Sequence, residues 1–124
     1  MSESALPTAS RLKVNREDGE IYRVVFPSGK VDGTAVRELY EATMQLADQV
    51  EQLKLLVDLT GVEFIPSGGL GMLVTIRKKF LGSGGQLHIL VPDAQVREVF
   101  MVTNLDRLLK LYSEDSEAVM HFKA

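Results

Sequence analysis

LLVDLTGVEFIPSGGLGMLVTIRKK, residues 55–79, decides the fold. Leu55, Leu56 and Val57 form an unbroken apolar run, the pattern of a strand covered on both faces. Asp58 to Gly61 supplies turn chemistry. Pro66 and Ser67 mark a helix start, with Ser67 the expected N-cap and Gly68 and Gly69 in the first turn. A helix N-terminus carries free N–H groups and partial positive charge. With no side chains at 68 and 69, another molecule can approach that backbone closely. The stretch reads as a place to bind a partner or hold a phosphate.

Outward from it, the same alternation repeats. Leu12 and Val14 alternate with polar neighbours, as in an edge strand, and Asp18-Gly19 is a hairpin signal. Ile21 to Phe26 is the returning strand, closed by Pro27, Ser28 and Gly29. Asp32-Gly33-Thr34 leads into a helix with Val36, Leu39, Tyr40, Thr43, Ala47 and Val50 at helical spacing. After the buried strand, a helix from about Gly68 to Leu81 ends in Arg77, Lys78 and Lys79 and stops at Gly82-Ser83-Gly84-Gly85. Leu87 to Val91 is a second buried strand, again without a polar face. Pro92-Asp93 opens a helix carrying Val96, Val99, Phe100 and Thr103, and Asn104 is its C-cap or turn residue. Leu108 to Tyr112 is a last short strand. Ser113 is an N-cap candidate for a closing helix with Ala118, Val119 and Phe122 as its apolar stripe.

The order β-β-α-β-α-β-α-β-α predicts an α/β fold. A mixed, mostly parallel sheet of four to five strands is accompanied by about four helices. The 124 residues suffice for one domain, and 45% hydrophobic composition for a real core. Residues 1–10 read as a flexible polar tail and 11–124 as the domain. The net charge of −3 offers no basic footprint for direct nucleic-acid binding. The absence of cysteine removes disulfides and thiolate chemistry and fits a reducing, cytoplasmic setting. No apolar stretch reaches the length of a membrane span, and the N-terminus lacks a signal-peptide pattern.

DLTGVEFIPSGGLGML is similar to the motif D-x-x-x-V-x-[FY]-[IM]-D-S-S-G-L-G-x-L of STAS domains, the family of bacterial anti-sigma-factor antagonists. Gly29-Lys30-Val31-Asp32 resembles that family's G-x-[LV]-D. Gly84-Gly85-Gln86-Leu87 resembles its glycine pair before a strand. Val96 to Phe100 with Thr103-Asn104-Leu105 resembles its V-x-x-[VL]-[FL]-x-x-[ST]-G-L. Four elements in order, over roughly residues 11 to 122, make the likeness specific.

The resemblance implies binding to an anti-sigma factor that is also a serine kinase, with release of a sigma factor to start transcription. It also implies inactivation by phosphorylation of a serine at the start of the second helix, reversed by a phosphatase. The chain departs from the pattern there. Pro66-Ser67-Gly68-Gly69 stands where the family has D-S-S-G, so the usual acceptor position is Gly68, which has no hydroxyl.

The expected partner-binding residues are Asp32, Thr60, Pro66, Ser67, Gly68, Gly69, Leu70, Thr103 and Asn104. Each also has a plain structural reading. Ser67 is either an alternative phosphoacceptor or a cap only. Gly68 and Gly69 are either a docking floor or a tight helix entry, at a cost of about 1 kcal/mol per glycine relative to alanine. Asp32 is a contact residue or a helix cap, and Thr60 a frame for the surface or turn chemistry. Arg77, Lys78 and Lys79 read first as a solvated, dipole-compensating end.

Ser67 to Gly71 lacks the spacing and Gly-Lys-Ser/Thr ending of a P-loop. His88 and His121 have no sequence-adjacent nucleophile or metal-ligand spacing, so neither an enzyme nor a cofactor or metal is expected. Two other functions stay open: a non-phosphorylated scaffold subunit of a signalling or lipid-transport complex, and a small-molecule or nucleotide sensor.

Overall fold

The structure is a computed structural model and describes residues 10–16, 19–26 and 28–122. The expected tail at 1–9 and the hairpin residue Asp18 lie outside the described residues. Two antiparallel strands come first, β1 (Ser10–Arg16) and β2 (Gly19–Val25), paired from Ser10↔Val25 to Arg16↔Gly19. A two-residue strand β3 (Gly29–Lys30) precedes helix α1 (Gly33–Gln49). Then follow β4 (Lys54–Asp58), β5 (Val62–Phe64), α2 (Ser67–Ser83), β6 (Gln86–Leu90) and α3 (Ala94–Val102). A 3-10 turn (Leu105–Arg107), β7 (Lys110–Tyr112) and α4 (Asp115–Met120) complete the chain.

The main sheet has five strands in the order β1-β2-β4-β6-β7. From β2 onward all neighbours are parallel, so the mixed sheet with one antiparallel edge is as expected. Because the order advances steadily in one direction, right-handed crossovers put α1, α2 and α3 on the same face. Leu39 and Leu46 of α1, Leu73, Ile76 and Phe80 of α2, and Phe100 of α3 share one core with Leu55, Val57, Leu87, Ile89 and Val91. The chain leaves β7 toward the opposite face. There Ala118 of α4 and Phe122 pack on Ile21, Leu56 and Leu90.

Residues 55–58 and 87–90 are buried on both faces, as expected, but the second face is not wholly apolar. Lys54, Asp58 and His88 point to it, and all three are buried. The polarity is accommodated by pairing. Arg23 bridges Asp58 at 2.8 Å and Asp115 of α4 at 2.6 Å. His88 Nδ1 lies 2.8 Å from the Ala118 carbonyl, and its ring stacks on Phe122 at 3.7 Å. A buried group with a partner avoids the cost of burying it alone.

Several boundaries move for identifiable reasons. The last strand begins at Lys110 rather than Leu108, because the 3-10 turn draws Leu109 into the core and leaves Leu108 exposed. In α1 the buried set is Ala35, Leu39, Ala42, Thr43 and Leu46, a stripe rotated from the expected one, with Tyr40 turned outward. Small alanines let the helix lie close to its neighbours, while Tyr40 keeps its phenol near water. On α3, Val96 and Phe100 are buried but Val99 and Thr103 are exposed. The N-cap position of α4 is Glu114, not Ser113, and no side chain caps that helix.

Candidate functional site

The site is built where β4 ends and α2 begins. Two elements too short for sequence periodicity assemble it. β3 and β5 form a separate parallel pair, Gly29↔Val62 and Lys30↔Phe64. The Val31 N–H donates to the Phe64 carbonyl at 2.9 Å and the Gly29 N–H to the Gly61 carbonyl at 2.9 Å. Gly29 has φ +101°, a conformation that favours glycine. This ladder clamps the Asp32 turn beside the loop that enters α2.

Asp32 is exposed and caps α1, its Oδ1 accepting from the Ala35 N–H at 2.9 Å. Its capping role is thus realised, and its position still faces solvent. Thr60 is exposed at the other side of the loop. Asp58 Oδ1 accepts from the Thr60 N–H at 2.9 Å and from the Thr60 hydroxyl. Asp58 Oδ2 accepts from Arg23. A chain of charge-assisted bonds therefore runs Asp115–Arg23–Asp58–Thr60 and fixes the loop to the sheet. Burial pulls the Arg23 guanidinium pKa down. The hydrogen bonds and negative charges of Asp115 and Asp58 outweigh this and leave it raised. Arg23 was not among the expected site residues. The available signal was an arginine inside an otherwise apolar strand and an aspartate ending another.

The opening of α2 differs from expectation in two respects. The N-cap is Pro66, in extended conformation with no side-chain cap bond, so Ser67 is the first helical residue rather than the cap. The first turn closes through the Pro66 carbonyl, which accepts from Gly69 at 2.8 Å and Leu70 at 3.2 Å. Ser67 is exposed, and its hydroxyl makes no hydrogen bond among the described residues.

The second difference separates the two glycines. Gly68 is exposed, and a Cβ built there meets nothing within 4 Å. Gly69 is buried, and a Cβ there would lie 2.9 Å from Ile65 Cγ1 and 3.3 Å from Val36 Cγ2. Gly69 serves the packing of α2 against Ile65 and α1 and offers no surface to a partner. Leu70, 7% exposed, is a core residue and leaves the expected contact set for the same reason. A residue one step along a helix turns by about 100°, which suffices to carry position 69 inside while 68 stays outside.

Thr103 is the C-cap of α3, its hydroxyl donating to Val99 O at 2.8 Å, and Asn104 is left-handed at φ +61°. Both are exposed. Packing of α3 against β5 ties this corner to the loop that enters α2. That packing also sets the half-exposed Phe64 beside a helix with outward Val99 and Val102. These apolar side chains were missed, because nothing local in a three-residue strand says which way Phe64 points. Among the described residues no cluster of His, Cys, Asp or Glu could hold a metal ion. The arrangement offers an open helix terminus, hydroxyls and apolar contacts, the materials of a binding surface.

Comparison with known proteins agrees with the fold. The family model described as STAS domain matches residues 12–118. A Thermotoga maritima protein provisionally named an anti-sigma factor antagonist is 41% identical over 66 residues, 53% of this chain and 58% of the relative. The matched stretch thus spans little more than half of that relative's length. A crystal structure of a provisionally named anti-sigma factor antagonist from Thermotoga maritima superposes with TM-score 0.71 at 27% identity, covering 89% of this chain and 92% of the other. The Bacillus cell fate determinant SpoIIAA, solved in its phosphorylated form, has TM-score 0.67 at 18% identity, covering 93% and 99%. The last likeness is one of fold alone.

Proposed function

This chain belongs to the STAS domain family, and from that premise we propose that it is an anti-sigma-factor antagonist working by competitive binding. Its partner is an anti-sigma factor of the serine-kinase type, which it occupies so that a sigma factor is freed for transcription in the cytoplasm. The contact surface comprises Asp32, Thr60, Pro66, Ser67, Gly68 and the Thr103-Asn104 corner, extended by Phe64. It acts by binding, without catalysis or cofactor.

The observation that carries this reading is the open start of α2. Gly68 has free space around it and exposed Ser67 beside it. Phe64 and Val99 supply the apolar area that a tight contact needs around polar groups. With glycine at position 68 the usual phosphate cannot be attached, so the partner's kinase activity does not switch this antagonist off in the usual way. Ser67 is the remaining acceptor candidate, and a phosphatase enters only if Ser67 is modified.

The test is a calorimetric titration of the chain with the anti-sigma kinase of the same cell, with and without a bound sigma factor. Binding that displaces the sigma factor and is lost in Gly68→Glu is the expected result. Unchanged affinity in a folded Gly68→Glu variant would move the interface elsewhere. An ATP-treated sample with stoichiometric phosphate on Ser67 would restore a switch one residue upstream.

A further inference from the structure

The ion-pair relay beneath the loop from Asp58 to Gly61 does more than hold the backbone, because the backbone there has anchors of its own. The N–H of buried Leu59 donates to the Leu90 carbonyl at 2.9 Å, and the Gly61 carbonyl accepts from the Gly29 N–H at 2.9 Å. The Val62 N–H closes the turn on the Leu59 carbonyl at 3.1 Å. A buried ion pair is also a poor source of stability, since apolar residues of similar volume often serve as well or better. What Arg23 and Asp58 add is direction.

Arg23 directs Nη1 to Asp58 Oδ2 at 2.8 Å and Nη2 to Asp115 Oδ1 at 2.6 Å. The side chains of Arg23 and Asp58 are only 12% and 9% exposed, so neither turns freely. Asp58 Oδ1 accepts from both the N–H and the hydroxyl of Thr60. A carboxylate has no proton to give, so the proton of that hydroxyl bond is the one on Thr60. A hydroxyl carries one proton and two lone pairs. With its proton committed inward to Asp58, the exposed Thr60 turns only an acceptor outward. The entrance of α2 offers the opposite polarity, the N–H groups that a helix start leaves without helical partners.

We propose that Arg23 is a positioning residue for partner recognition: through Asp58 it presents Thr60 as an acceptor only, and so selects a partner with a hydrogen-bond donor opposite Thr60. The inference rests on the partner surface proposed above. A lysine, an arginine or another N–H or O–H group of the partner is matched there. A partner carbonyl or carboxylate meets lone pairs instead, and loses its hydration without a replacement bond. Arg23 acts from the sheet face that α4 covers, where its neighbours are Asp58 and Asp115, and it needs no contact with the partner.

The test is a double-mutant cycle, titrated by calorimetry against the anti-sigma kinase, with a melting curve for each variant. Thr60→Val removes the hydroxyl and should weaken binding about tenfold, whereas Thr60→Ser keeps it and should bind as before. Arg23→Lys keeps the charge but loses the fork that spans Asp58 and Asp115, and should also weaken binding about tenfold. In the Thr60→Val background it should weaken binding no further, although its effect on melting temperature should be the same in both backgrounds. If Arg23→Lys fails to fold, Asp115→Asn takes its place in the cycle, since Asp115 holds the same guanidinium and is 60% exposed. In the free chain, NMR couplings should show one Thr60 χ1 rotamer that becomes averaged in the Arg23→Lys or Asp115→Asn variant. An undiminished loss in the Thr60→Val background overturns the proposal, because it means general loosening of the loop. A single Thr60 rotamer that survives in the variant overturns it as well. Full binding by Thr60→Val, with binding lost in Gly68→Glu, overturns it and leaves the partner surface standing. Full binding by a folded Gly68→Glu overturns the surface and this inference together.

Discussion

Gly68→Ser should convert the chain into a phosphorylatable protein without disturbing its fold. The perturbation adds one Cβ and one hydroxyl at the second residue of α2. Nothing lies within 4 Å of that Cβ, so no packing cost arises. Glycine is about 1 kcal/mol worse than alanine inside a helix and serine sits between them, so stability should rise by about 0.5 kcal/mol. For a domain of this size that is a melting increase of about 2 °C. Phosphorylation then adds close to two negative charges at a helix N-terminus, where the dipole favours them, so the modified form should stay folded. The partner surface would nevertheless carry a bulky dianion on the open patch beside Ser67 and Phe64. Loss of a central contact of this kind reaches about 2.8 kcal/mol, or about a hundredfold in affinity. The assay has three readings: intact mass after incubation with the anti-sigma kinase and ATP, the melting temperature, and a calorimetric titration. The reasoning is refuted if Gly68→Ser is folded and fully modified yet binds as tightly as before. It is also refuted if a folded Gly68→Ser that binds the kinase takes up no phosphate.

The neighbouring glycine should behave oppositely. Gly69→Ala forces a contact of 2.9 Å with Ile65 and 3.3 Å with Val36, an overpacking cost of about 1–3 kcal/mol that exceeds the helix-propensity gain of about 1 kcal/mol. Its urea midpoint should fall, and an equal or higher midpoint would show that Ile65 moves aside freely. Thr43→Val should stabilise the chain by about 1 kcal/mol. The Thr43 hydroxyl is fully buried without a hydrogen bond among the described residues, and valine keeps its shape; a lower denaturation midpoint would count against this. Tyr112 should titrate late in absorbance at 295 nm, because burial first and the charge of Glu117 second raise its pKa above 10.0. Its neutral form is favoured in the fold, so that stability is complete below pH 10 and is lost as pH rises through the folded value. Glu117→Gln should bring the titration earlier, and an unchanged curve would remove Glu117 as a cause.

The sequence by itself determined what depends on covalent chemistry and short-range pattern. Leu55–Val57 and Leu87–Ile89, each followed by breakers and a helical period, specify parallel strands with crossovers, because only that arrangement buries such runs. Gly68 lacks a hydroxyl whatever surrounds it. Asp93 and Asp32 were legible as helix starts because a cap is made with residues two or three positions away. Tertiary structure decided everything that depends on which distant segment lies opposite. Gly68 and Gly69 are the same residue type side by side, and only the placement of Ile65 and α1 makes one open and the other closed. Arg23 reaches Asp115 across 92 positions, beyond any periodic signal. Arg77 reads locally as a dipole-compensating helix end, and only the fold sets it at one depression with Asp106 and Arg107 of the 3-10 turn. Neighbours in sequence are constrained by bond geometry, whereas neighbours in space are set by how the helices and strands share one core.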